Sequence, residues 1–485
     1  MDATDNARPL IDVVGDALPS DGAKVDEKGR RLLLLGAYAV LFTRYCIATF
    51  LSAFFTPVAT AMGISGTFNG VIFAAYPTGM AITSLFASQA IRLLGGRLAV
   101  YFGLACTAFL TLFFGIAPDL AGGTHCLGST AACDAGATPY LFVASYFLNG
   151  LTGALAETAC IIMVSNRFQD RLGTVMASIG TISGVGCMVG PVIGGVLHDM
   201  VSDAAWAFRT PFFVCSVAPL LLLPFVPYFM PRQLGKIDDE ARQPLSSVLS
   251  LSVVLGLSSV ALSGIIVATL DPTLSYRLSA APFRLSASWV SLFFMYSSIV
   301  YVLFSIPVGW AVDRFPNSSR VYKAITAAGF LTLAITFFLL APFGTPAWGW
   351  GDSDGLQPAM NNMPAAASAL VFKGIGSALS NNAIYPDLVL GLPADDVMLQ
   401  ATISGVWNAA YAVGWAAGPL IGGVLYDAFV DVPLCIGDYA LPPHCPISSS
   451  SSSARVEQDR RAQRVNASRH AHHSPPPPPP LSPGE

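Results

Sequence analysis

The chain has 485 residues with a formal net charge of −4; 53% of them are hydrophobic, only 11% are charged, and the mean hydropathy is +0.60. Soluble globular proteins carry about a quarter charged residues, so this composition excludes an ordinary soluble protein and indicates one that spans a membrane several times. The sequence contains no basic patch, so we expect no nucleic acid as a partner. Residues 1–31 are polar and acidic and predict a disordered cytosolic arm rather than a cleaved signal peptide.

Apolar segments long enough to cross a bilayer follow the arm in two groups. A spanning helix needs about 20 largely apolar residues. The N-terminal half, residues 32–230, has six candidates: 33–60, 67–91, 97–117, 140–164, 173–198 and 210–230. After a polar cytosolic linker, the C-terminal half has five: 249–272, 288–312, 322–343, 364–390 and 399–428. The predicted boundaries of the linker and of the C-terminal half are 231–248 and 249–430. The sequence thus predicts an all-α membrane protein with two six-helix halves, the twelfth helix being absent.

The last residues, 431–485, are a Ser/Pro-rich, low-complexity tail that cannot form a spanning helix. Our leading explanation is an aborted or misassembled C-terminus, in which case an intact transcript would encode the twelfth helix. The alternative is a genuine eleven-helix protein whose tail lies outside, where the sequon at Asn466 could be glycosylated.

Lysine and arginine residues predict the orientation of the helices. With the N-terminus in the cytosol, the arm and the cytosolic loops hold fifteen basic residues, whereas the opposite loops hold three, Arg209, Arg277 and Arg284. Because cytosolic loops carry an excess of basic residues, we expect this orientation.

The nine cysteines fall into two groups by their predicted location. Five lie in predicted helices, and four form two close pairs on the predicted lumenal or extracellular side, Cys126/Cys133 and Cys435/Cys445. That side is usually oxidising, so each pair either forms a disulfide or remains as free thiols.

A decapeptide occurs twice, near the ends of the fifth and eleventh predicted helices. GPVIGGVLHD runs from Gly190 to Asp199 and GPLIGGVLYD from Gly418 to Asp427, with eight of ten positions identical. Duplicated halves are typical of secondary transporters, whose site lies between the halves. Small residues let helices approach closely, so the copies are transport hinges, packing faces or both. The candidates for this conformational role are Gly190, Pro191, Gly194, Gly195, Gly418, Pro419, Gly422 and Gly423.

Charged residues inside predicted helices are the main candidates for a site. An ionised side chain at a helix centre costs at least about 2.5–3.5 kcal/mol on insertion scales, so it usually faces a cavity or a partner. Arg44 and Glu157, in the first and fourth helices, lie at similar depths, which allows an ion pair. Arg44 also begins a partly polar stripe that continues through Ser52 and Thr56. The alternative is a structural pair that only fixes helix packing.

Two further charges lie in the second half. Lys373 is in the tenth helix, with Ser377, Asn381 and Tyr385 at successive i+4 steps, and Asp271 ends the seventh helix in LDPTLS. Lys373 either lines a cavity or belongs to a structural ion pair. Asp271 either faces the cavity or is a helix-end residue in water.

These motifs resemble those of the major facilitator superfamily. Gly309-x-x-x-Asp313-Arg314 matches the loop signature that this family carries after its second and eighth helices, and the repeated GPxxGG matches its fifth-helix signature. In that family, helices 1, 4, 7 and 10 line the cavity. The resemblance therefore implies that all four charged residues face it.

The chain departs from the family pattern at several positions. The loop after the second helix has Ala87 and Ile91 where the family has Gly and Asp, and the fourth helix has Tyr146 where the family often has Arg.

The LDPTLS sequence resembles a narrower branch, the vesicular amine and polyamine transporters of solute carrier family 18. In the amine transporters the acid at the end of the seventh helix helps to bind the cationic substrate, which implies this role for Asp271. The eleventh-helix acid of that branch aligns with Asn408 here, a departure from the monoamine pattern.

The sequence therefore predicts a secondary transporter, a proton-coupled antiporter of a small organic cation such as an amine or polyamine. The candidate substrate- and proton-binding residues are Asp271, Glu157, Arg44, Lys373, Asn381 and Asn408. Two rivals stay open: an organic-anion carrier that uses the two basic residues, and a non-transporting, degenerate carrier that acts as a receptor or scaffold. The sequence has no nucleotide loop, metal cluster or nucleophile elbow, so we expect neither an enzyme nor a cofactor. The expected partners are a small-molecule substrate, protons and the lipid bilayer. We expect a monomer in a vesicle or other endomembrane, with the plasma membrane as the alternative.

Overall fold

A computed structural model describes residues 27–127, 133, 135–168, 172–230, 251–280, 283–315, 318–340, 362–390 and 397–434. All regular secondary structure in these ranges is helical. The last described helix runs to Leu434, so it continues four residues past the predicted boundary of the tail at 431. Cys435, Cys445, Asn466 and the rest of the predicted tail, 435–485, lie outside the described residues.

Eleven long helices run through the described ranges in two groups. The N-terminal half contains α1 (Glu27–Thr49), α2 (Gly66–Leu94), α3 (Gly96–Ala121), α4 (Thr138–Arg167), α5 (Leu172–Asp199) and α6 (Ala204–Leu222). The C-terminal half contains α7 (Leu251–Ser279), α8 (Ala287–Arg314), α9 (Ser319–Leu340), α10 (Met363–Val389) and α11 (Val397–Leu434). Within the described part of the chain, nine segments are long and apolar enough to cross a membrane by length and composition. The protein is therefore an all-α, multi-pass membrane protein.

The first span differs from its prediction because it is not one continuous helix. α1 ends at Thr49, a 3-10 turn covers Phe50–Ala53, and a short helix follows at Phe55–Ala61. The break coincides with aromatic packing: the ring of Phe50 meets that of Phe212 edge-on, with centroids 5.1 Å apart. The polar stripe predicted from Arg44 is thus interrupted after α1, with Ser52 in the 3-10 turn and Thr56 in the short helix that follows.

The seventh helix also differs from its prediction, because it continues through LDPTLS to Ser279. Pro272 lies inside α7. Proline removes one helical hydrogen bond, but neighbouring helices and side chains can satisfy the freed group in a membrane bundle. Asp271 is consequently inside a helix rather than at its end, and Arg277 lies in the last helical turn rather than in a loop.

Two helices begin earlier than predicted. α1 starts at Glu27, inside the predicted disordered arm, and Glu27 forms an exposed ion pair with Arg31 one turn later. α6 starts after Asp203, whose carboxylate accepts a hydrogen bond from a backbone N–H of the first turn at 2.9 Å. Arg209 is thus a residue of α6, where it pairs with Asp119 of α3, and not a loop residue.

The loop between α3 and α4 is closed by a disulfide between Cys126 and Cys133. It packs against the turn before α2, where Gly63 has a φ of +75° and a Cβ atom would lie 2.5 Å from the carbonyl oxygen of Cys133. Only glycine combines this backbone conformation with this close approach.

Glycines also set the spacing of helices within each half. A Cβ atom at Gly150 of α4 would lie 2.0 Å from the carbonyl oxygen of Tyr76 on α2, and one at Gly414 of α11 would lie 2.1 Å from that of Ala261 on α7. Backbones can approach this closely only where side chains are absent, so α4 packs directly against the backbone of α2, and α11 against that of α7.

Candidate functional site

Arg44 and Glu157 form an ion pair between α1 and α4. Arg44 Nη1 and Glu157 Oε2 are 2.5 Å apart, and the side chains are 3% and 16% exposed. The Tyr45 hydroxyl donates a hydrogen bond to Glu157 Oε1 at 2.9 Å. Both carboxylate oxygens therefore have partners, and the two buried charges are balanced where they lie.

Aromatic rings enclose the guanidinium of Arg44. Its Cζ atom lies 5.0 Å from the ring centroid of Tyr45 and 5.6 Å from that of Tyr76 on α2. A Cβ atom at Gly153 would lie 3.2 Å from Arg44 Nε, so the glycine leaves the space that the guanidinium occupies. Ring faces attract cations, and Arg44 is thus held by three helices of the N-terminal half.

Asp271 is the central carboxylate of the C-terminal half. It is partly buried, and the indole N–H of Trp415 on α11 donates a hydrogen bond to its Oδ2 atom at 3.2 Å. Tyr146, Tyr411 and Lys373 lie close enough to interact with it electrostatically. The expectation that places Asp271 in water at a helix end is therefore wrong.

A layer of aromatic side chains joins the two charged groups across the halves. The ring of Tyr76 lies 5.0 Å from that of Tyr146 and 6.4 Å from that of Trp415. The Tyr146 hydroxyl donates to the carbonyl oxygen of Ala48 at 2.7 Å. Tyr146, which replaces the arginine common in the family, thus ties α4 to α1 without adding a charge.

Cys187 of α5 is near the first helix, where its backbone carbonyl oxygen accepts a hydrogen bond from the Thr49 hydroxyl at 3.4 Å. It is within electrostatic range of Arg44, Glu157 and Asp271, and Lys373 is in range of both Cys187 and Asp271. The structure thus brings the four intramembrane charges into one central region between the halves.

Sequence reasoning missed the aromatic and thiol components of this region. Tyr411 and Trp415 are spaced i, i+4 just before the second decapeptide. This spacing places both rings on one face of α11, so it could have indicated an aromatic face there. Tyr76 and Cys187 give no comparable signal, since aromatic and cysteine residues are common in apolar helices.

Two predicted site residues have other surroundings. Asn381 of α10 accepts a hydrogen bond from the Ser263 hydroxyl of α7 at 2.9 Å, a contact within the C-terminal half. Asn408 belongs to α11, and its side chain lies outside the described residues.

The loop signature lies at one end of α8. Gly309 has open space where a Cβ atom would be, and Asp313 and Arg314 are exposed at the end of the helix. In the other half, Ala87 and Ile91 are buried in an apolar cluster of α1 to α5. The two halves therefore differ at this loop signature. An aspartate in place of Ile91, as in the family pattern, would be buried among apolar side chains without water.

Comparison with known proteins identifies the fold family. The family model described as Major Facilitator Superfamily matches residues 34–419, most of the chain. The chain belongs to the Major Facilitator Superfamily. It is therefore a membrane transporter of small molecules by family, not an enzyme.

Curated relatives of this superfamily member come from solute carrier family 18, as the LDPTLS resemblance predicted. The chain is 25% identical over 427 residues to the MFS-type transporter SLC18B1 of Mus musculus, with 84% of each chain covered. It is 25% identical over 336 residues to the vesicular acetylcholine transporter of Torpedo marmorata, covering 66% of this chain and 59% of the relative.

Solved structures of the superfamily share the fold. The nucleoside transporter NupG has a TM-score of 0.56 at 12% identity, covering 82% of this chain and 91% of that one. A bacterial homolog of the human lysosomal transporter Spinster, inward-facing and unoccupied, has a TM-score of 0.58 at 13% identity, with 83% of each chain covered.

Proposed function

We propose that this transporter exchanges protons for a small organic cation, an amine or a polyamine, and that both bind in turn at Asp271. The observation that carries the proposal is the placement of this carboxylate between the halves, held by the Trp415 indole within a layer of aromatic rings. A negative charge and ring faces together suit an organic ammonium ion.

The geometry at Asp271 provides a basis for exchange. The indole N–H of Trp415 donates to the Oδ2 atom. The carboxylate can in addition either accept a hydrogen bond from an ammonium group or carry a proton. Because one occupant excludes the other, a cation enters only when the proton has left. Movement of the proton down its gradient would thus drive the cation in the opposite direction.

The charge balance of the central region favours a cation over an anion. The guanidinium of Arg44 is paired with Glu157 at 2.5 Å, and Lys373 has Asp271 as an electrostatic neighbour. An organic anion would have to compete with a carboxylate for Arg44, one of the two basic groups. This argues against the anion-carrier rival.

The relatives support the same substrate class and a vesicular membrane. Vesicular acetylcholine transporters are named for a quaternary ammonium substrate and for vesicles. We therefore propose a vesicle or other endomembrane as the site of action, with the transporter acting as a monomer.

Uptake into proteoliposomes tests the function. With an acidic interior, we expect accumulation of amines or polyamines that stops when an ionophore collapses the pH gradient, and no accumulation of organic anions. Accumulation of anions alone would support the anion carrier. Absence of both uptake and substrate counterflow in folded protein would support a receptor or scaffold.

Trp415 offers a narrower test of the site. Trp415→Phe keeps an aromatic ring but removes the N–H donor to Asp271. Hydrogen bonds to charged groups contribute about 1.5–3 kcal/mol, so we expect the KM for amine uptake to rise by about tenfold or more. Trp310→Phe is the matched control, because Trp310 is 70% exposed on the apolar surface of α8. An unchanged KM in Trp415→Phe would show that the indole does not position the carboxylate.

A further inference from the structure

The two copies of the decapeptide make equivalent contacts within their own halves. Cβ atoms at Gly190 and Gly194 would lie 2.6 and 2.2 Å from carbonyl oxygens of the α1 segment. Cβ atoms at Gly418 and Gly422 would lie 2.5 and 3.1 Å from carbonyl oxygens of α7. These four glycines therefore allow α5 to pack closely against the α1 segment in one half and α11 to pack closely against α7 in the other.

The next glycine of each copy faces the opposite half. A Cβ atom at Gly195 would lie 2.5 Å from the carbonyl oxygen of Ala287, the first residue of α8. One at Gly423 would lie 2.3 Å from that of Gly66, the first residue of α2. Both halves are thus in backbone contact at the predicted lumenal end of the molecule.

The last residue of each copy bonds across the same contact. Asp199 Oδ2 accepts a hydrogen bond from the backbone N–H of Ser288 at 2.7 Å. Asp427 accepts two, from the backbone N–H groups of Gly66 at 2.8 Å and Thr67 at 2.7 Å. Each carboxylate thus binds the first turn of a helix that belongs to the other half.

These bonds combine two favourable effects. The first N–H groups of an α-helix have no partner within the helix, and the helix start carries partial positive charge that attracts an anion. α2 already has an N-cap of its own, since Ser65 Oγ accepts from the N–H of Phe68 at 3.2 Å. Asp427 is therefore an addition that joins the halves rather than a requirement for forming α2.

A transporter that opens alternately to each side must separate its halves at the lumenal end in one of its states. Contacts made in only one state set the balance between the states. We propose that Asp199 and Asp427 form a symmetric pair of clasps that hold the lumenal mouth closed. Each clasp captures the start of α8 or α2, and each must break before the mouth opens. This gives the repeated decapeptide a role in the conformational cycle that is separate from the substrate site.

Distances between spin labels at the lumenal end test the clasps. Labels would be attached at Leu120→Cys and Trp289→Cys, exposed positions at the end of α3 and the start of α8, with the accessible free thiols changed to serine. Loss of an N-capping side chain typically costs about 1 kcal/mol, which would change the ratio of open to closed lumenal ends by about fivefold. We expect Asp199→Ala and Asp427→Ala each to raise the ratio of long to short distances about fivefold, and the double variant about 25-fold if the two sites are independent.

Two further variants act from the other side of each bond. Ser288→Pro and Thr67→Pro remove the donated N–H groups, and proline is tolerated in the first turn of a helix. Ser288→Pro should give a shift at least as large as that of Asp199→Ala, because it also removes the hydroxyl that donates to the carbonyl oxygen of Gly195 at 3.3 Å. Thr67→Pro should give a smaller shift than Asp427→Ala, because the N–H of Gly66 still donates to Asp427. Both variants leave the decapeptide intact, so a folding defect in one set does not affect the other. Asp203→Ala is the control, because Asp203 caps α6 within its own half and should not change the distances. Unchanged distances in folded proline variants would overturn the proposal, as would an equal shift in Asp203→Ala.

Discussion

Asp271→Asn is expected to reach the membrane and to lose amine uptake driven by a pH gradient. Asparagine matches the shape of the carboxylate but carries no negative charge and cannot take up or release the proton. Loss of a charged partner costs about 1.5–3 kcal/mol, so the initial rate should fall by roughly 10- to 100-fold. Accumulation against a gradient should disappear, because exchange needs a group that alternates between proton and amine. The measurement is uptake of labelled amine by proteoliposomes with an acidic interior.

Two variants sharpen this result. Asp271→Glu keeps the charge at a slightly different position, so it should retain part of the activity. Asp203→Asn is the control, because asparagine is as good an N-cap as aspartate and position 203 is exposed, away from the central region. If Asp271→Asn accumulates amine as well as the parent, Asp271 is neither the proton site nor the substrate site. The anion carrier that uses Arg44 and Lys373 would then become the better explanation.

Breaking the pair of Arg44 and Glu157 is expected to destabilise the protein by about 3–5 kcal/mol, because one charge is left buried without its partner. Glu157→Gln should be the more damaging single change. It leaves the guanidinium, which is only 3% exposed, with aromatic rings as its main neighbours. Arg44→Met leaves a carboxylate that keeps its hydrogen bond from the Tyr45 hydroxyl at 2.9 Å.

A double-mutant cycle measures this coupling directly. The variant with both Arg44→Met and Glu157→Gln should be more stable than the sum of the single changes predicts, and thermal unfolding in detergent would show the difference. The matched control is the exposed pair of Glu27 and Arg31, whose side chains are 70% and 75% exposed. Exposed pairs contribute at most about 1 kcal/mol, so that cycle should show little coupling. Equal coupling energies in the two cycles would contradict a structural role for the buried pair.

Local sequence properties were enough to predict the helices of the described ranges in their correct order. A helix in lipid satisfies its backbone hydrogen bonds internally, so hydropathy and length alone indicate where it lies. The same local reasoning identified Arg44, Glu157, Asp271 and Lys373, because a charge inside an apolar segment is conspicuous wherever its partner lies. The duplicated decapeptide and the LDPTLS sequence also pointed to the superfamily and the branch that the comparisons support.

Only the tertiary structure decided how those helices continue and what their side chains meet. α1 ends at Thr49, next to the contact between Phe50 and Phe212 of α6, and α7 continues past Pro272 inside the helix bundle. The bond from Trp415 to Asp271 joins residues of different helices. The clasps of Asp199 and Asp427 reach across the two halves. Hydropathy reports how each segment partitions into lipid, one segment at a time. Distances between side chains depend on how segments that are far apart in the chain pack together, and that packing is settled by shape and close backbone contact.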